Sequence, residues 1–116
     1  MTLTTTTRDN LQQLLELMTA QGWLPHEVLL GGSWEHTPSI EGVLAQIEQC
    51  EPPVLRLMKG SFEAGFSSGI IRFRFDAGVA GLIDDHTVSH NFGATIDQVR
   101  HALSSASASA QQGAAA

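Results

Sequence analysis

Apolar residues recur at two different periods along this chain, and the switches between them mark out its elements. Leu11, Leu14, Leu15 and Met18 follow the i, i+3, i+4, i+7 spacing of one helical face. They predict a first helix over residues 8–21, with Thr6 and Asp9 spaced as a capping box and Gly22 as the stop. Leu17 lies off that stripe, and either widens it or marks a contact with another chain. Ile40, Val43, Leu44 and Ile47 repeat the helical spacing. They predict a second helix starting near Thr37, with Pro38 at its first position, where a missing N–H costs nothing. Glu51-Pro52-Pro53 should end it, because proline cannot continue a helix. Ile96, Val99 and Leu103 predict a third helix over residues 96–103, opened by Thr95 and Gln98.

Between the second and third helices the period falls to two. Ile71, Phe73 and Phe75 alternate with Ile70, Arg72 and Arg74, which puts aromatics on one face of a strand and arginines on the other. Asp76-Ala77-Gly78 supplies a turn with glycine at the left-handed position, and residues 79–83 are the expected returning strand. Residues 54–59 alternate in the same way, with Leu55 and Leu57 opposed to Val54, Arg56 and Met58. Residues 27–30 predict one more strand, ended by Gly31-Gly32-Ser33, and His86 to Phe92 a weak edge strand. Gly60, Gly65 and Gly69 interrupt the stretch 60–68, which reads as a loop carrying Phe62 and Phe66. The expected fold is therefore α+β, in the order α-β-α-β-β-β-α. A mainly antiparallel sheet of four or five strands carries its helices on the face of Leu55, Leu57, Ile71, Phe73 and Phe75.

Composition narrows the class without naming a function. A chain of 116 residues fits one domain, expected over residues 8–103, between a flexible arm at 1–7 and a disordered Ser/Ala-rich tail at 104–116. The formal net charge is −6, with six Lys and Arg against twelve Asp and Glu, which argues against general binding of nucleic acid. There is one cysteine, Cys50, so no internal disulfide can form; this suits a reducing compartment, and the reading is cytoplasmic. No apolar run is long enough for a membrane span, and the first residues do not read as a secretory signal.

Four stretches could carry chemistry. Gly65-Phe66-Ser67-Ser68-Gly69 matches G-x-S-x-G, but a nucleophile elbow needs a strand before the serine and a helix after it, and here a strand follows. Asp84, Asp85, His86 and His90, with His101 a further histidine, offer carboxylate and imidazole ligands for a divalent ion such as zinc. On an extended strand His86 and His90 would stand about 13 Å apart, too far for one ion, so a metal site needs a turn or a second chain. The glycine loop from Gly31 to Pro38 lacks the G-K-[ST] of a phosphate loop, and reads as a strand-to-helix turn. Trp34 within it is either packed on the core or part of a contact surface. Arg56, Arg72 and Arg74, with Lys59 at the strand end, could line one sheet face and hold an anionic group or an acidic partner. The simpler alternative is pairing with the protein's own carboxylates.

No convergent catalytic set stands out. The reading is a small cytoplasmic, non-enzymatic, protein-binding module — an adaptor, chaperone-like or inhibitor subunit — with no cofactor. It would use Arg56, Arg72, Arg74, Lys59 and Trp34, and could pair as a homodimer. The alternative is a small-molecule- or metal-binding enzyme with its site at Asp84, Asp85, His86 and His90.

Overall fold

The computed structural model describes residues 4–50, 53–61, 63–76, 78, 81–88 and 91–115, with side chains up to residue 105. Three helices pack on one face of a five-stranded antiparallel sheet of order β2-β1-β3-β4-β5. The strands are β1 (Leu24–Leu30), β2 (Ser33–His36), β3 (Val54–Ser61), β4 (Gly65–Phe73) and β5 (Ile83–His86). The helices are α1 (Thr5–Ala20), α2 (Ile40–Gln46) and α3 (Phe92–Ala115), with a single 3₁₀ turn at Ile47–Gln49. The expected α+β order holds, with β2 as an added strand.

The helical stripes are where periodicity places them. Leu11, Leu14, Leu15 and Met18 of α1 are all fully buried, and Leu17 packs against their edge. Val43, Leu44 and Ile47 are buried from the second segment, as are Ile96, Val99 and Leu103 from the third. They meet Val28, Leu55, Leu57, Ile71 and Phe73 from the inner face of the sheet. Trp23 and Phe92 join this core edge to face, with ring centroids 4.7 Å apart. The Phe92 ring lies on the backbone of Gly69 in β4, where any Cβ would overlap it.

Several boundaries differ from expectation, each for a local reason. The cap of α1 is Thr4, whose hydroxyl accepts from the Thr7 N–H at 3.1 Å, so Thr6 and Asp9 fall inside the helix. Gly31 and Gly32, with φ of 55° and 86°, form a two-residue hairpin turn of the primed type, and the glycine loop is thus the β1–β2 turn. Trp34 is therefore on a strand. The buried Thr37 hydroxyl lies 3.1 Å from Glu35 O and 3.0 Å from Gln46 Oε1, tying the end of β2 to the end of α2. Ser39 then takes the cap, accepting from Gly42 N–H at 3.0 Å, so α2 starts at Ile40 rather than near Thr37.

The central hairpin is β3–β4 rather than a pairing after Phe75. Its register runs from Val54↔Arg72 to Ser61↔Gly65, so the glycines at 60 and 65 sit at the strand ends. Chain expected to loop is thereby sheet, and Gly65-Phe66-Ser67-Ser68-Gly69 lies inside a strand, without the strand-turn-helix setting of a nucleophile elbow. The strand described beside β4 is Ile83–His86, with Gly81 and Leu82 outside it; Ala77, Val79 and Ala80, part of the expected turn and returning strand, lie outside the described residues. β5 ends at His86, and Phe92, expected on an edge strand, opens α3. The helical backbone of α3 runs on through the Ser/Ala-rich stretch to Ala115, past the expected end at Leu103.

Candidate functional site

The helices cover one face of the sheet, and the alternate residues of the same strands form the other. In antiparallel pairing, residues directly opposite share a face. Glu27 of β1 faces Arg56 of β3, Arg56 faces Ile70 of β4, and Arg72 of β4 faces both Val54 and Asp85 of β5. Arg56 and Arg72 are therefore diagonal neighbours on the open face, with Glu27 on one flank and Asp85 on the other. A row of acid, base, base, acid crosses the sheet.

Each guanidinium has a carboxylate of its own. Arg56 Nη1 donates to Glu27 Oε1 at 2.7 Å, and its guanidinium carbon lies 4.2 Å from the centre of the Trp34 ring. Both partners of that ion pair are mostly shielded, with side chains 30% and 22% exposed. Arg72 Nε donates to Asp84 Oδ2 at 2.9 Å, and its Nη2 lies 3.9 Å from Asp85. Arg74 falls one residue past the end of β4 and donates through Nε to Asp76 at 2.9 Å. That contact holds the Asp76 carboxyl below the usual carboxylate range and raises the Arg74 guanidinium. The arginine stripe thus holds for residues 56 and 72, and Arg74 stands outside the sheet.

Two β-bulges decide which acids arrive. The β4–β5 register shifts between Arg72 and Phe73, so Asp84 is the extra residue, and both it and Asp85 reach Arg72. The β1–β3 register shifts between Pro25 and Glu27, so His26 is the extra residue there. His26 Nε2 consequently lies 3.7 Å from Glu27 Oε1, and its ring meets that of His36 at 5.1 Å. His26 and Glu27 were not singled out from the sequence. Their trace in it is two adjacent polar residues, His26-Glu27, in an otherwise apolar strand, and Asp84-Asp85 is the same signature.

The expected metal site is only partly in view. Asp84 and Asp85 are engaged with Arg72, while His90 lies outside the described residues. Among the described residues no group of three potential ligands could hold an ion. His86 Nδ1 lies 2.8 Å from the Thr87 carbonyl, which can only accept, so Nδ1 is the donor in that contact and the ring is fixed in orientation. His86 lines a shallow pocket of about 330 Å³ with Val54, Ile70, Arg72, Asp85 and Thr87. Cys50 is buried, and burial pushes its thiol up, away from the reactive thiolate. Lys59 runs beside Gly22, with no ion pair among the described residues.

Compared with known proteins, the chain matches no family model, no curated protein and no solved structure. No helix among the described residues is long and apolar enough to cross a membrane.

Proposed function

We propose that this chain is a small, non-enzymatic, cytoplasmic protein-binding module that works through the open face of its sheet. The observation that carries the reading is the stack that joins the edge strand β2 to the central strand β3 on that face. Trp34, half-buried, lies under Arg56, which is itself fixed by Glu27. Tryptophan and arginine held rigid before a partner arrives are the side chains that dominate protein interfaces, because little rotamer freedom is left to lose. Arg72 with Asp84 continues the surface. Because both arginines already have acids, the face offers directional donors rather than a bare positive field. That suits a partner with matched charges better than a strongly acidic one. The partner can be another protein or a second copy of this chain.

The test is gentle affinity capture of the full chain from its own cells, followed by native mass spectrometry. The expected result is a stoichiometric complex that is lost with Trp34→Ala and Arg56→Ala. Capture of the chain alone, as monomer, would overturn the reading. A complex untouched by both variants would move the interface off this face.

The second reading is a small-molecule site at the pocket of Arg72, Asp85, His86 and Thr87, favoured by the fixed orientation of the His86 ring. It predicts a bound small molecule or ion in the captured protein and its loss on His86→Ala.

A further inference from the structure

The sheet ends in β2 on one side and β5 on the other, and the two edges are finished differently. At β5 the chain itself takes up the outward groups. The His86 N–H donates to Asp85 Oδ1 at 2.9 Å, and the Ile83 carbonyl accepts from Arg100 Nη2 at 3.0 Å. The bulge at Asp84 distorts that edge further, so a second strand finds little to pair with.

β2 has no such cover. Thr37 N–H donates to the His26 carbonyl at 2.8 Å, which sets the parity of the β1–β2 ladder. Its hydrogen-bonded pairs then fall at Glu35↔Val28 and Ser33↔Leu30. The N–H and C=O groups of Trp34 and His36 therefore point away from β1. Among the described residues no hydrogen bond reaches them. Ser33 and Glu35 share the helix side with Leu30 and Val28, yet both are exposed, so no helix overhangs the strand. Ser-Trp-Glu-His also lacks the lysine, proline or bulge that commonly keeps an edge from pairing.

The side chains of β2 fit a second β2. A twofold axis perpendicular to the sheet runs the two strands antiparallel and keeps both open faces on one side. Outward residues must then face outward residues. His36 opposite His36 sets Trp34 against Pro38, which has no N–H to give. Trp34 opposite His36 sets Glu35 against Glu35 at about 4.5 Å between Cα atoms, a like-charge clash. Trp34 opposite Trp34 sets Ser33 against Glu35, a hydroxyl beside a carboxylate. It also brings together two half-buried indoles, each under its own Arg56 at 4.2 Å.

We infer that the chain forms a twofold dimer by pairing β2 with β2, centred on Trp34. The inference rests on the protein-binding reading and names a second copy of the chain as the partner. The two sheets run on as one, and the Arg56–Trp34 stacks of both copies meet at its middle. A strand of four residues makes few bonds, so the dimer is in reversible exchange with monomer.

The test is analytical ultracentrifugation of the full chain over a wide range of concentration, as wild type, Ser33→Glu and Ser33→Lys. Ser33 is exposed, so neither change touches the core, and an unchanged amide spectrum checks the fold of each variant. The expected result is a monomer–dimer equilibrium. Ser33→Glu should weaken it about tenfold, because a like charge then opposes Glu35 twice per dimer, and Ser33→Lys should tighten it severalfold. Chains carrying Ser33→Cys, mixed with chains carrying Glu35→Cys and oxidised, should form the mixed disulfide; the wild type, whose Cys50 is buried, should not crosslink. A monomer at every concentration, a dimer indifferent to the sign of the charge at position 33, or absence of the mixed disulfide would each overturn the inference. If the isolated chain is monomeric but capture from cells still yields another polypeptide through Trp34 and Arg56, the dimer fails while the protein-binding reading stands.

Discussion

The two faces of β3 and β4 are built from the same two paired strands, yet they are held in different ways. Towards the helices, Leu55, Leu57, Ile71 and Phe73 are almost wholly buried and fit by volume. Gly69 belongs to that face because the Phe92 ring needs its missing Cβ. On the other side, Arg56 and Arg72 reach water and are held by direction, each hydrogen-bonded to one carboxylate. Volume-held residues resist any change of size. Charge-held residues add little stability for what they cost in order, since exposed ion pairs contribute roughly 0–1 kcal/mol. A face that is ordered but adds little to stability is a face free to serve an interface.

That contrast can be broken by mutation, starting with the largest effect. Leu55→Ala should cost about 2–5 kcal/mol in urea denaturation, through lost transfer energy and the cavity left behind. A cost below about 1 kcal/mol would mean that this face is not the core. Gly69→Ala should cost about 1–3 kcal/mol by overpacking. Adding Phe92→Leu should recover part of it, so the double variant should lose less than the sum; strict additivity would contradict the ring-on-glycine contact.

On the open face a double-mutant cycle between Glu27 and Arg56 should give a coupling of about 1 kcal/mol, the upper end of the exposed range because both groups are partly shielded. It should shrink as salt is added. Asp76→Asn should produce no measurable change in Tm, because the Arg74–Asp76 pair is fully exposed. The sign is nevertheless defined. A carboxyl lowered in the folded state contributes above its unfolded range, and loses that contribution as pH falls through its lowered value. Acid titration followed by NMR should show Asp76 titrating below the ordinary carboxylate range.

How much was legible follows from the same contrast. The core stripes of all three helices and the inner face of the central strands are readable because burial imposes a period, and a period survives in sequence. β2 is hidden because Ser-Trp-Glu-His is a short, mostly polar edge strand, signalled only by the Gly-Gly turn before it. The central hairpin is displaced because Gly60 and Gly65 look like breakers but sit at strand ends. Arg56 and Arg72 share a face as alternation demands, whereas Arg74 does not, since β4 stops at Phe73. Which acid meets which arginine is not legible at all. Two bulges set it, and a bulge leaves no more trace than a pair of adjacent polar residues.

The measurement that bears most directly on the open face is hydroxyl-radical footprinting of the captured complex against the isolated chain. Trp34, Met58 and Phe66 are reactive reporters spread over that face. A partner seated there should sharply reduce oxidation of all three while leaving Met18, in the core behind the sheet, unchanged. Equal oxidation of Trp34, Met58 and Phe66 in the complex and in the isolated chain would contradict the account.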